Sequence, residues 1–312
     1  MGSTLPGSPP GTVGGMTFNE DSQLSGGKVK RRGRTAAIGG GGVGVAAIVV
    51  FLIAQFTGVD LSGIVGDGSG TTQIQQQDET VQPAEECRTG RDANQRVECR
   101  MEGAAESLDA YWTDEADALG ISYTTPGFVL FDGSTDTGCG QASAATGPFY
   151  CPPDRSIFLD TAFYDDLQSR YGSSGGPLAQ MYVVAHEWGH HVQQLEGTFA
   201  DTDRSGTGAS SGSVRVELQA DCYAGSWVGS AATTRDANGE TFFEPVTRAQ
   251  IADALSAASA VGDDSIQERA TGRVDPDSFT HGSSAQRQAW FTRGYERGAT
   301  ACDTFSVPGS QL

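Results

Sequence analysis

The chain has 312 residues, 37% of them hydrophobic, with 43 glycines and a net charge of −19. That suits one domain with a core of ordinary size plus unstructured extensions. Five basic residues (Lys28, Lys30, Arg31, Arg32, Arg34) against Glu20 and Asp21 leave residues 1–35 at +3 and the remainder at −22, and so acidic a body excludes nucleic acid as a partner.

In chain order, MGSTLPGSPPGTVGG is featureless, and Met16 is an alternative translation start. Residues 1–35 read as a disordered basic tail. Ala36 to Phe56 then run 21 residues without a charge, bounded by KVKRRGR and Asp60. At about 1.5 Å rise per residue that length spans a bilayer, so residues 36–57 are expected to form one transmembrane helix. The basic cluster before it places the N-terminus in the cytoplasm and the rest outside. A cleaved signal peptide is the rival reading, but no small-x-small cleavage site follows the apolar core. Residues 58–84, rich in Gly, Gln, Thr and Asp, read as an extracytoplasmic linker. Residues 85–312 are the functional domain.

All six cysteines, Cys87, Cys99, Cys139, Cys151, Cys222 and Cys302, follow the apolar stretch, as an oxidising exterior permits. The spacing of twelve between Cys87 and Cys99, repeated between Cys139 and Cys151, favours local closure and leaves Cys222 with Cys302. Metal binding is the other use of cysteine; the lack of a close CxxC pair argues against it.

Within the domain, residues 92–119 read as a helix, and GFVLF (127–131) and SIFLD (156–160) as strands. Beyond Asp160 the pattern is helical: TAFYDDLQSRYG, PLAQMYVVAHEWGHHVQQLEG, SVRVELQADCYAGSWVGS, TRAQIADALSAASAVG and SAQRQAWFTRGYERGA. The second of these begins at Pro177, favoured in a first turn, and stops at Gly197, a favoured cap.

That helix carries three of the chain's four histidines. His186 and His190 lie four apart, one turn above the other on one face, and can grip one ion. Glu187 between them is placed to accept a proton from the attacking water, the arrangement of an HExxH zinc site. His191 points elsewhere and reads as structural. A third ligand is needed. Glu217, on the amphipathic VRVELQADCYAGSW helix, supplies it, and Asp221 four residues on can receive the outer N–H of a ligand histidine. Glu196, Asp201 and Asp203 are the alternatives, in or beside the Gly/Ser-rich 200–213 stretch, which reads as a solvated loop or a flexible lid.

HEWGHHVQQ, VELQADCYAGSW, TGCGQASAATGPFYCPPDRSIFLD and SFTHGSSAQRQAWFTRGYERG together resemble the bacterial membrane-anchored neutral zinc metallopeptidase family, over nearly all of Met16 to Cys302. The HExxH and ExxxD pair is similar also to the wider gluzincin group. The resemblance implies an α+β, mostly helical, zincin-like domain with a small sheet. It implies one zinc ion on His186, His190 and Glu217, Glu187 as base, Asp221 behind a ligand, and a peptide or protein substrate. THGSSAQR is similar to a histidine-bearing segment of membrane zinc proteases that process prenylated proteins, which makes His281 a candidate oxyanion donor. Arg287 and Tyr295 are weaker candidates for that role. By analogy with zincins, SIFLD is the candidate edge strand for an extended substrate. Two other readings stand beside the peptidase: a non-proteolytic envelope binding protein with a zincin fold, and a zinc amidase acting on cell-wall material.

Overall fold

The computed structural model of the protein describes residues 18–32, 81–82 and 87–312, and the apolar stretch 36–57 lies outside them. Among the described residues no helix is long and apolar enough to cross a membrane.

The fold is α+β with a small sheet. The sheet runs in the order β2 (Val81–Gln82), β1 (Val29–Arg32), β3 (Gly127–Phe131), β7 (Ser156–Asp160), β6 (Phe149–Cys151). β1, β3 and β7 are mutually parallel; β2 and β6 close the two sides antiparallel. A separate hairpin joins β4 (Ser134–Thr137) to β5 (Gly140–Ser143). The strands expected at 127–131 and 156–160 form as read, since FVLF and IFLD are buried on both faces.

Three expectations need correction. First, part of the supposed disordered tail belongs to the fold: Phe18, Leu24 and Val29 are buried, and β1 is an inner strand of the sheet. The charges of KVKRR conceal a strand that buries only Val29 while Lys30 points outward. Second, the helix expected over 92–119 is two, α1 (Gly90–Gln95) and α2 (Val97–Leu119), broken at Arg96, whose backbone is extended at φ −125°. The break turns the chain so that Cys99 meets Cys87. Third, SIFLD lies between β3 and β6 and is internal, so β6 is the outer strand on that side of the sheet.

The helices that follow are α3 (Phe163–Ser169), α4 (Pro177–Glu196), α5 (Thr198–Asp201), α6 (Gly212–Ser230), α7 (Arg248–Ala260), α8 (Asp263–Thr271) and α9 (Ser284–Arg297). α4 starts with Pro177 and ends at Gly197 in the left-handed region, φ 86°. α6 is capped by Ser211, and α9 by a Ser283–Gln286 capping box. α4 and α6 cross where Gly189 faces Ala220; a Cβ on Gly189 would stand 3.0 Å from the Ala220 Cα. α6 and α9 touch backbone to backbone, for a Cβ on Gly294 would lie 1.8 Å from the Cys222 carbonyl oxygen. No other residue type allows that approach.

The three disulfides pair as the spacing suggested: Cys87–Cys99, Cys139–Cys151 and Cys222–Cys302. The last closes 80 residues and ties α6 to the segment after α9. Replacing Cys222 and Cys302 together by serine should lower stability by on the order of 4 kcal/mol in the chain-entropy picture, read as a fall in the denaturation midpoint. Metal affinity should fall with it, because Cys222 adjoins Asp221; unchanged affinity would show that α6 keeps its place without the bridge.

Candidate metal centre

The crossing of α4 and α6 brings His186, His190 and Glu217 together, all buried, with one ligand atom from each lying within 4.8 Å of the others. His186 Nε2 is 3.1 Å from Glu217 Oε2, and His190 Nε2 is 3.5 Å from Glu217 Oε1. Each histidine is held from behind. His186 Nδ1 donates to Asp221 Oδ1 at 2.8 Å, and His190 Nδ1 donates to Gln193 Oε1 at 2.8 Å. Gln193 is fixed in turn, giving its amide N–H groups to the Val216 carbonyl and to Gln219 Oε1. With both Nδ1 atoms engaged from behind, the Nε2 atoms of the two rings are turned to Glu217. Two imidazole nitrogens and a carboxylate so placed fit a divalent ion of the zinc type.

The two imidazoles differ in charge. Burial lowers the pKa of His190 to about 4, whereas at His186 the Asp221 carboxylate overrides burial and lifts it to about 10. A metal takes neutral imidazole, so binding at this cluster exchanges the His186 proton for the cation.

Asp221 is fully buried and anchors more than one helix. It accepts from the Tyr182 hydroxyl, from Arg287 Nε at 2.7 Å and from Arg287 Nη2 at 3.0 Å. Arg287, which also lines the cavity beside the cluster, has its guanidinium turned to Asp221 and, at 3.0 Å, to the Val261 carbonyl. Tyr295 is not among the cavity-lining residues; its backbone backs onto Gly229.

Beside the cluster opens a cavity of about 100 Å³. Glu187 and His281 both line it, together with His186, His190 and Glu217. Burial pushes the Glu187 carboxyl up to about 7, and the nearby Glu217 charge acts in the same sense. His281 is held by a residue the sequence reading missed. Asp263, the first residue of α8, meets His281 Nδ1 at 3.2 Å, and its Oδ2 accepts the backbone N–H groups of Thr280, His281 and Gly282. Against the burial that would lower it, Asp263 raises the His281 pKa, so the ring stays a cation more readily than a free histidine.

The remaining candidates fall away from the cluster. His191 bridges Tyr150 and the Thr124 carbonyl, tying α4 to the sheet and the loop before it. Glu196 accepts from Tyr223 and Thr198, while Asp201 and Asp203 are exposed. The 200–213 stretch is tied down, with Gly208 N–H on the Phe279 carbonyl and Thr207 on that of Asp277. It is a tethered loop.

Gln193→Leu should leave the fold intact and weaken zinc binding by about 10- to 100-fold, the usual effect of losing a partner behind a ligand histidine. Competition with a chromophoric chelator measures it; unchanged affinity would mean that Gln193 does not orient His190.

A family model described as "putative neutral zinc metallopeptidase" matches residues 15–305. The proteins named uncharacterized protein Rv2575 of Mycobacterium tuberculosis and Mb2605 of Mycobacterium bovis are each 47% identical over 259 residues, covering 81% of this chain and 85% of theirs. The Escherichia coli protein named uncharacterized protein YpfJ is 36% identical over 294 residues, 92% of this chain and 94% of its own. No solved structure matches. With a match over nearly its whole length and the two-histidine, one-glutamate cluster on its crossing helices, the chain belongs to this neutral zinc metallopeptidase family.

Proposed function

We propose that the protein is a zinc-dependent peptidase of zincin type, working outside the cytoplasm. The observation that carries this is the buried Glu187 in a cavity that it lines together with the His186, His190 and Glu217 cluster and His281. His186, His190 and Glu217 would hold zinc, which supplies Lewis-acid polarisation of the scissile carbonyl and makes water acidic at neutral pH.

The chain's own residues do the rest. Glu187, whose raised pKa makes it a competent base near neutrality, takes a proton from the attacking water and passes it to the leaving amine. His281, oriented by Asp263, presents Nε2–H to the oxyanion as the carbonyl becomes tetrahedral. β6 is an outer strand of the sheet, and the Tyr150 backbone N–H on it favours the ionised form of Glu187. An extended peptide added to that edge would pass directly over the base.

The cavity wall away from the metal ligands is apolar: Phe149, Phe163, Val183, Val261 and Ile266. Such a wall suits an apolar side chain of the substrate. That favours a peptide with a bulky apolar residue beside the scissile bond over a sugar-linked cell-wall amide. Three disulfides support an oxidising location, and membrane attachment through residues 36–57 is part of the same reading.

Purified protein should carry one zinc as wild type and as Glu187→Gln, with cleavage of an apolar-rich peptide library only by the wild type. Zinc in both with cleavage by neither would remove the peptidase reading, and equal cleavage by both would remove Glu187 as base. His281→Ala should bind zinc normally and lose about 100-fold or more in kcat, the cost of deleting one oxyanion donor.

A further inference from the structure

Residues 18–32 are held by the metal-bearing domain through backbone recognition as well as side-chain contact. Glu102, on α2 and buried, accepts the amides of Lys28 at 2.7 Å and Val29 at 2.9 Å. One turn on, Glu106 accepts those of Ser25 and Gly26, each at 2.9 Å. Asn94 pairs with both the N–H and the carbonyl of Phe18, and Asp236 takes the N–H of Gln23. β1 then lies in the sheet, parallel to β3 from Val29↔Phe128 to Arg32↔Phe131.

The domain is also shaped to receive the segment. A Cβ on Gly103 would stand 2.5 Å from the Phe18 ring, and one on Gly90 would stand 1.9 Å from the Asn19 carbonyl oxygen. Phe18 fills the notch left by Gly103 and meets Phe243 at 4.3 Å between ring centroids. The buried carboxyl groups of Glu102 and Glu106 would be costly to leave without the N–H donors that the segment brings.

A single-pass helix over residues 36–57 would put this segment and the domain on opposite sides of about 30 Å of hydrocarbon. One molecule cannot hold both arrangements. We infer that residues 18–32 lie on the same side of the membrane as the metal centre, docked on α2 and β3, so that the chain leaves the sheet at Arg32 and returns to it at Val81 on one side. The paired register Arg32↔Val81 places those two ends next to each other. The cytoplasmic N-terminus expected from the basic cluster is then replaced by one that shares the domain's compartment.

The test compares two single-cysteine additions in the full chain, Asp21→Cys in the segment and Asp114→Cys on α2, both exposed. A membrane-impermeant maleimide is applied to spheroplasts and, separately, to lysed cells. Equal labelling of both positions under each condition is expected. Labelling of Asp114→Cys in spheroplasts with Asp21→Cys reached only after lysis would overturn the inference. Both reached only after lysis would support it while removing the extracytoplasmic reading. If the added thiols disturb the disulfides, a cycle of Phe18→Ala and Gly103→Leu on the purified full chain serves instead. Gly103→Leu should lower the melting temperature by several degrees alone and by less when Phe18→Ala has made room; strictly additive losses would show that Phe18 does not sit there.

Discussion

The metal centre depends on one interaction, the capture of the fully buried Asp221 carboxylate by four donors from two other helices. His186 and Tyr182 reach it from α4, and Arg287 reaches it twice from α9. A buried carboxylate is tolerated only when its oxygens are fully engaged, and losing one partner of such a set costs about 3–5 kcal/mol. Asp221 therefore does for the helices what a shared residue does in a core: α4, α6 and α9 can pack only in the arrangement that satisfies it. The glycine contacts at Gly189 and Gly294 make that arrangement sterically possible. Burial would raise the Asp221 pKa, but Arg287 and His186 hold it low, so the junction stays charged.

The two ligand histidines are supported differently, and the difference has chemical content. His186 leans on an anion already neutralised by Arg287, while His190 leans on the neutral amide of Gln193. The centre therefore gains orientation at both rings without adding two negative charges behind them. Glu217 is the one anion placed directly against both Nε2 atoms.

Much of this was legible in the sequence because it is local. HExxH and ExxxD place their residues by helix geometry alone, and Pro177, Gly197, Ser211 and Ser283 mark helix ends by backbone chemistry. The disulfide pairs followed from spacing. What was not legible is what distant segments decide. Asp263 acts on His281 from 18 residues away, through three backbone amides that only the folded turn aligns. β1 carries four residues of which three are basic, and no pattern in VKRR announces that carboxylates on α2 wait for its amides. The edge strand was misplaced by one position in the sheet because FYC is too short to signal itself, whereas SIFLD is apolar enough to be internal. Gln193 could have been found: it lies one turn beyond His190 on the same face, where a polar residue in a buried helix needs a reason.

The order of these parts along the chain has a consequence for biosynthesis. Every ligand of the candidate metal site has been made once Glu217 is polymerised, whereas His281, Arg287 and Cys302 come from the last 32 residues. During synthesis, the growing chain passes through a long interval in which it holds the candidate ligand side chains but lacks the arginine that neutralises Asp221, the histidine that lines the cavity and the cysteine that staples α6. The four donors on Asp221 are therefore complete only when the C-terminal helix α9 has been made.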